Sequence, residues 1–106
     1  KDYAKPRVIN FLEKKIYHNL TIFKNKINKL KENEINDVQQ DYDYKINQTE
    51  EKVSNLRSVG KFGEKFDNLI EKNKMLKDEK NILITGIREK YRILVDVALT
   101  SAQVII

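Results

Sequence analysis

From Ile9 onward apolar residues return every three or four positions: Ile9, Leu12, Ile16, Leu20, Phe23, Ile27 and Leu30. At about 100° per residue they fall within one narrow stripe, so the spacing predicts an amphipathic helix. Pro6 suits its first turn, where a missing N–H is not needed. A sparser set, Phe11, His18 and Ile22, points to the opposite side with Lys15, Lys26 and Lys29 around it. One face is expected to pack within the chain and the other to meet something else.

Residues 33–52 are more polar, and Ile35, Val38, Tyr42, Ile46 and Val53 keep a looser helical spacing. Leu30 to Ile35 is a step of five, and Asn33, Asn36 and Asp37 could cap a new helix there. Neither Gly nor Pro interrupts the segment, so a continuous helix is favoured over a break near 33–36. Ser58-Val59-Gly60-Lys61-Phe62-Gly63 holds two of the three glycines and reads as the bend of a hairpin. After it a heptad runs through Phe66, Asn73, Lys80, Ile87, Leu94 and Ser101, with Leu69, Leu76, Leu83, Lys90, Val97 and Val104 at the second seam position. Beyond Ile82 a second apolar side emerges, as Ile82, Ile93, Val97 and Val104 project roughly opposite Ile84, Ile87, Tyr91, Leu94 and Ala98.

The expected fold is all-α: a long antiparallel helical hairpin of coiled-coil type, associating into a bundle, with three helices if the first one breaks. Residues 1–106 are read as one helical domain, with a helix over about 6–58, a bend at 59–63 and a helix over about 64–105. Composition agrees, at 40% apolar and 35% charged residues with a single proline. An extended hairpin of this length buries less surface per residue than a compact globule, which makes help from another chain expected. The absence of cysteine excludes a disulfide framework, a thiolate nucleophile and a cysteine-ligated zinc site. Lys1 opens no basic-then-apolar leader, so a targeting segment is read as absent or removed. The most apolar run, 93–106, is broken by Asp96 and is shorter than the roughly 20 residues that span a bilayer.

Charge tests the hairpin. Folding at 60–63 places residue i roughly across from residue 123 minus i. Residues 32–51 carry seven acids and one base, net minus six, and residues 72–91 across the bend carry six bases and three acids, net plus three. Lys80 is thereby expected near Asp43, and Leu56, Val53, Ile35, Leu30 and Phe23 near Phe66, Leu69, Ile87, Leu94 and Leu99. Residues 5–31 hold eight bases against Glu13, net plus seven, and their counterpart, 92–106, is neutral. The base of the hairpin thus combines spare apolar surface with uncompensated positive charge, and both call for a partner.

Catalytic chemistry has little footing. His18 is the only histidine and lacks companions for a transition-metal site. Asp41-Tyr42-Asp43-Tyr44 and Glu50-Glu51 read as a solvated acidic face, because adjacent helical residues diverge by about 100°. Gly60-Lys61-Phe62-Gly63 lacks the strand and the Gly-Lys-Ser/Thr ending of a phosphate cradle. Phe62, beside Lys61 at the hairpin tip, is either an anchor for another protein or, the favoured reading, folded over Val59 and Phe66. Asn19-Leu20-Thr21 and Asn47-Gln48-Thr49 match a glycosylation pattern that chance explains in so asparagine-rich a chain.

In layout the chain resembles the small helical hairpins of type VII secretion, the WXG100 family, which run near this length with a bend near the middle. Their tryptophan-x-glycine bend is replaced here by Gly60-Lys61-Phe62-Gly63, and four residues after Tyr91 comes Val95, with Asp96 one step beyond the acid of the family's later signal. The resemblance implies a secretion partner. The residues themselves lead to a non-enzymatic protein-interaction or structural module, without cofactor or metal, that self-associates or docks on another protein through its base. The expected interface is Phe11, Lys15, His18, Ile22, Lys26, Lys29, Ile82, Ile93, Val97 and Val104. The alternative is a basic helical module that binds nucleic acid or another polyanion through residues 5–31.

Overall fold

The computed structural model describes the chain from Ala4 to Ile105, and its side chains from Phe11 to Ser101. Two helices account for it: α1, Ala4–Ser58, and α2, Glu64–Ile105, forming an antiparallel hairpin. The polar stretch at 33–36 does not break α1, which settles for two helices over three. Bounds and bend lie within two residues of those expected from the sequence.

The bend is built by the backbone. Gly60 adopts a φ of 69°, the left-handed conformation that ends a helix at little cost only in glycine. The Gly60 N–H donates to the Arg57 carbonyl at 3.1 Å and the Lys61 N–H to the Leu56 carbonyl at 2.9 Å, the double closure of a Schellman motif. Gly63 then opens α2: the Asp67 N–H donates to its carbonyl at 3.0 Å. Glu64 and Asp67 place negative charge in the first turn, against the positive end of the helix dipole.

The chain forms two compact units. One joins the chain up to Glu32 with the chain from Arg88 onward; the other is Asn33–Ile87. In the second unit Ile46, Val53, Phe66, Ile84 and Thr49 are buried. Its alignment follows the charge argument closely. Lys80 Nζ meets Asp43 at 2.7 Å and Lys77 Nζ meets Glu50 at 3.2 Å, while the Tyr42 hydroxyl donates to Glu79 at 3.2 Å. A polar contact also lies within the seam: Asn73 Nδ2 donates to the Thr49 hydroxyl at 2.8 Å and to the Ile46 carbonyl at 3.3 Å. The Thr49 hydroxyl in turn donates to the Ile46 carbonyl at 2.8 Å. In the first unit only Ile27 and Tyr91 are buried among the described side chains.

The sequence reading needs two corrections. Buried and half-buried positions of α2 run through Leu69, Asn73, Leu76, Lys80, Ile84, Ile87, Tyr91, Val95 and Ala98. The expected heptad therefore holds as far as Lys80, after which Leu83, Lys90, Leu94 and Val97 are exposed. The steps are four, three and four, closing every eleven residues, nearer the natural 3.6 residues per turn than the 3.5 of a heptad. A strict heptad drifts about 20° per repeat on an unsupercoiled helix, and by Val97 that drift has carried it off the seam. The seam of α1 has the same spacing, through Ile27, Lys31, Ile35, Val38, Tyr42, Ile46, Thr49 and Val53. For the same reason its expected stripe is covered only along one edge. Ile16, Leu20 and Ile27 are partly or fully buried, whereas Leu12, Phe23 and Leu30 are exposed, and the expected Leu30–Leu94 pair is open to solvent at 52% and 44%.

Candidate docking surface

In the first unit, one face of α1 carries Phe11, Lys15, His18, Ile22, Lys26 and Lys29, within about 80° of one another and opposite the buried Ile27. All six are exposed, Phe11 to 66%. From α2 the same unit contributes Ile93 and Val97, both exposed. The side chain of Val104 lies outside the described residues. Ile82 belongs to the second unit, where it is 70% exposed. Nine of the ten expected interface residues thus share one unit, and all nine whose side chains are described face solvent.

Leu12, Phe23 and Leu30 were expected in the seam and instead add to this surface from the flank of α1, as Leu94 does from α2. Tyr17 is also exposed. On the other flank of α1, Tyr17, Leu20, Thr21, Lys24, Asn25 and Asn28 line a shallow groove of mixed chemistry with Leu99 of α2. Ion pairs of Arg92 run along α2, to Glu89 and, at 3.1 Å, to Asp96. The hydrogen bond from Arg92, with its charge behind it, holds the Glu89 carboxyl below the usual carboxylate range and raises the guanidinium further.

The tip belongs to the second unit. Phe62 meets Phe66 edge-to-face, with ring centroids 5.0 Å apart, yet remains 63% exposed, and Val59 is equally open. Folding back over Phe66 therefore occurs without covering Phe62. Lys61 is exposed beside it. The Arg57 guanidinium lies 5.9 Å from the Phe66 ring centroid, so a cation caps the same aromatic pair.

Thr49 was missed as a seam residue, although its place between Ile46 and Val53, three and four residues away, was the available signal. Partial burial, followed by the hydrogen bond and charge of Glu79, pushes the Tyr42 phenol above its ordinary value. Among the described residues no group of three His, Cys, Asp or Glu side chains is arranged to hold a metal ion, and no helix is long and apolar enough to cross a membrane. No protein family, curated protein or solved structure matches the chain. The likeness to type VII secretion hairpins accordingly rests on layout alone.

Proposed function

We propose that the chain is a non-enzymatic interaction module that docks on another protein, or on another copy of itself, through the basic, apolar face of its first unit. The observation that carries this reading is the exposure of residues spaced as core residues. Leu12, Phe23 and Leu30 share the helical repeat of the buried Ile27 and yet face water, alongside Phe11, Ile22, Ile93 and Val97. A monomeric protein rarely exposes so many large apolar side chains together unless they serve a contact. The test is mass by light scattering together with capture of native partners by the intact parent protein, for the natural chain and for Phe11→Glu with Ile22→Glu. Assembly that the double variant loses, with helix content unchanged, supports the reading. A strict monomer that binds no native partner defeats it.

A second reading is favoured by one observation, the alignment of Lys15, Lys26 and Lys29 on a single exposed face. Such a line can neutralise phosphates without reading sequence. Titration of DNA, RNA and heparin against salt tests it, and no binding at low salt removes it.

A further inference from the structure

The apolar surface of the first unit has a definite side. On α1 the covered line is Ile16, Leu20 and Ile27. At about 100° per residue Leu12, Phe23 and Leu30 stand roughly 40 to 60° to one side of it. Thr21, Lys24 and Asn28 stand on the other side, where Leu20 and Leu99 join them in a shallow groove. On α2, the exposed Leu94 and the half-buried Leu99 lie on opposite sides of the covered Tyr91 and Ala98. Since Leu99 borders that groove, the antiparallel hand of the pair puts Leu94 on the side of Leu12, Phe23 and Leu30. One side of the unit therefore exposes four large apolar side chains and the other mainly Thr21, Lys24 and Asn28, which is how two helices look when a third has been removed.

We infer that the missing third element is an amphipathic helix of another protein, apolar along one stripe and acidic on the flank that meets α1. This rests on the docking function proposed above and names its partner by chemistry. Length sets the first requirement: Leu12 to Leu30 spans about 27 Å at 1.5 Å per residue, so about five helical turns cover it. Charge sets the second. Lys15 and Lys26 border the apolar side on α1, within a segment, 5–31, of net charge plus seven. Carboxylates on the flank of the incoming helix that faces α1 would meet these lysines as its apolar stripe seats. A second copy fits poorly. Its own first unit would bring the same positive charge, and its acidic stretch, 32–51, has Ile46 and Thr49 already buried in its own seam. Nucleic acid would engage the lysines and leave the leucines in water.

The whole chain is titrated with labelled helical peptides of about 21 residues, three heptads with Leu at the two seam positions. One version carries Glu on both flanks, one carries Lys, and one keeps Glu but has Ser at the seam; a DNA duplex is the fourth probe. The Glu–Leu peptide is expected to bind at least about tenfold more tightly than each of the others, with affinity falling as salt rises. Leu30→Glu or Leu94→Glu should lower that affinity about tenfold or more. Both positions are open to solvent, so the fold should survive, as circular dichroism would verify. Lys15→Gln with Lys26→Gln should flatten the salt dependence while leaving the seam intact. Equal binding of the Glu- and Lys-flanked peptides, or tighter binding of the duplex, overturns the acidic helix. If assembly is still lost in Phe11→Glu with Ile22→Glu while the peptides are not discriminated, docking stands and only its partner has been misassigned.

Discussion

Between Asn33 and Ile87 the two helices bury four large apolar side chains and Thr49, and they tie α1 to α2 through Asp43–Lys80, Glu50–Lys77 and Tyr42–Glu79. In the other unit, made by the earlier part of α1 and the later part of α2, only Ile27 and Tyr91 are buried among the described side chains. Yet the second unit is the more polar in sequence and the first is rich in Ile, Leu and Phe. Apolar content alone does not make a stable unit. What separates the two is whether apolar residues coincide with the line along which the helices touch, and whether charge across that line is complementary. Where both hold, the pair of helices buries its own apolar residues. Where the apolar residues spill onto the flanks and one helix is strongly basic, the pair leaves them exposed, which is the ground of the docking function proposed above.

Truncation of the core offers the sharpest test of this difference. Phe66→Ala in the second unit is expected to cost about 3 kcal/mol, from lost burial plus the cavity it leaves. Leu30→Ala in the first should cost less than about 1 kcal/mol in the isolated chain. Urea unfolding measures both, and equal losses would mean that the two units are stabilised alike. Next in size is the polar contact in the seam. Asn73→Ala removes its hydrogen bonds to the Thr49 hydroxyl and the Ile46 carbonyl and should destabilise by about 1 kcal/mol. Asn73→Leu should recover that stability but relax the alignment of the helices, visible as broadened amide resonances near Ile46 and Thr49, since a polar residue in a seam fixes register.

Gly86 sharpens the comparison from the opposite direction. A Cβ added there meets nothing within 4 Å, so Gly86→Ala should raise stability by about 1 kcal/mol through helix propensity alone. A loss in thermal melting would reveal a contact at that face. The ion pair Lys80–Asp43 is partly exposed, so a double-mutant cycle should give at most about 1 kcal/mol, shrinking in high salt. The smallest effect is at alkaline pH. Because the Tyr42 phenol is raised in the folded chain, its contribution is complete below the ordinary phenol range, near 10, and is lost as pH rises through the folded value. Tyr42→Phe should remove that component of the pH profile of stability.

Helix bounds, the bend and the alignment of the two helices were all legible in the sequence, because glycine placement and opposite charge are local and additive signals. Lys80 opposite Asp43 follows from the bend position and little else. The seam of the later part of α2 was not legible in the same way. A heptad and an eleven-residue repeat share their first few positions and separate only as rotation accumulates, so Leu83 and Val97 looked like seam residues when read in sequence. Thr49 was hidden for a different reason: it is a polar residue in a run of apolar seam positions, its hydroxyl satisfied by the Ile46 carbonyl of its own helix, and the Asn73 amide that meets it lies 24 residues away. The docking face was legible as spare apolar and basic residues on α1, but its sidedness needed Leu99, and hence the hand of the pair.

The spacing of the seam also governs how such a molecule can change size. Contacts that return every eleven residues form a ruler graduated in three-turn steps of about 16 Å. Removing one step from α1 and the matching step from α2 would bring every remaining seam residue back opposite a seam residue. A seven-residue excision would instead leave the remaining residues rotated roughly 20 to 30° off the seam. Growth and shortening of the hairpin by whole graduations would therefore leave the chemistry of the bend and of the remaining seam untouched.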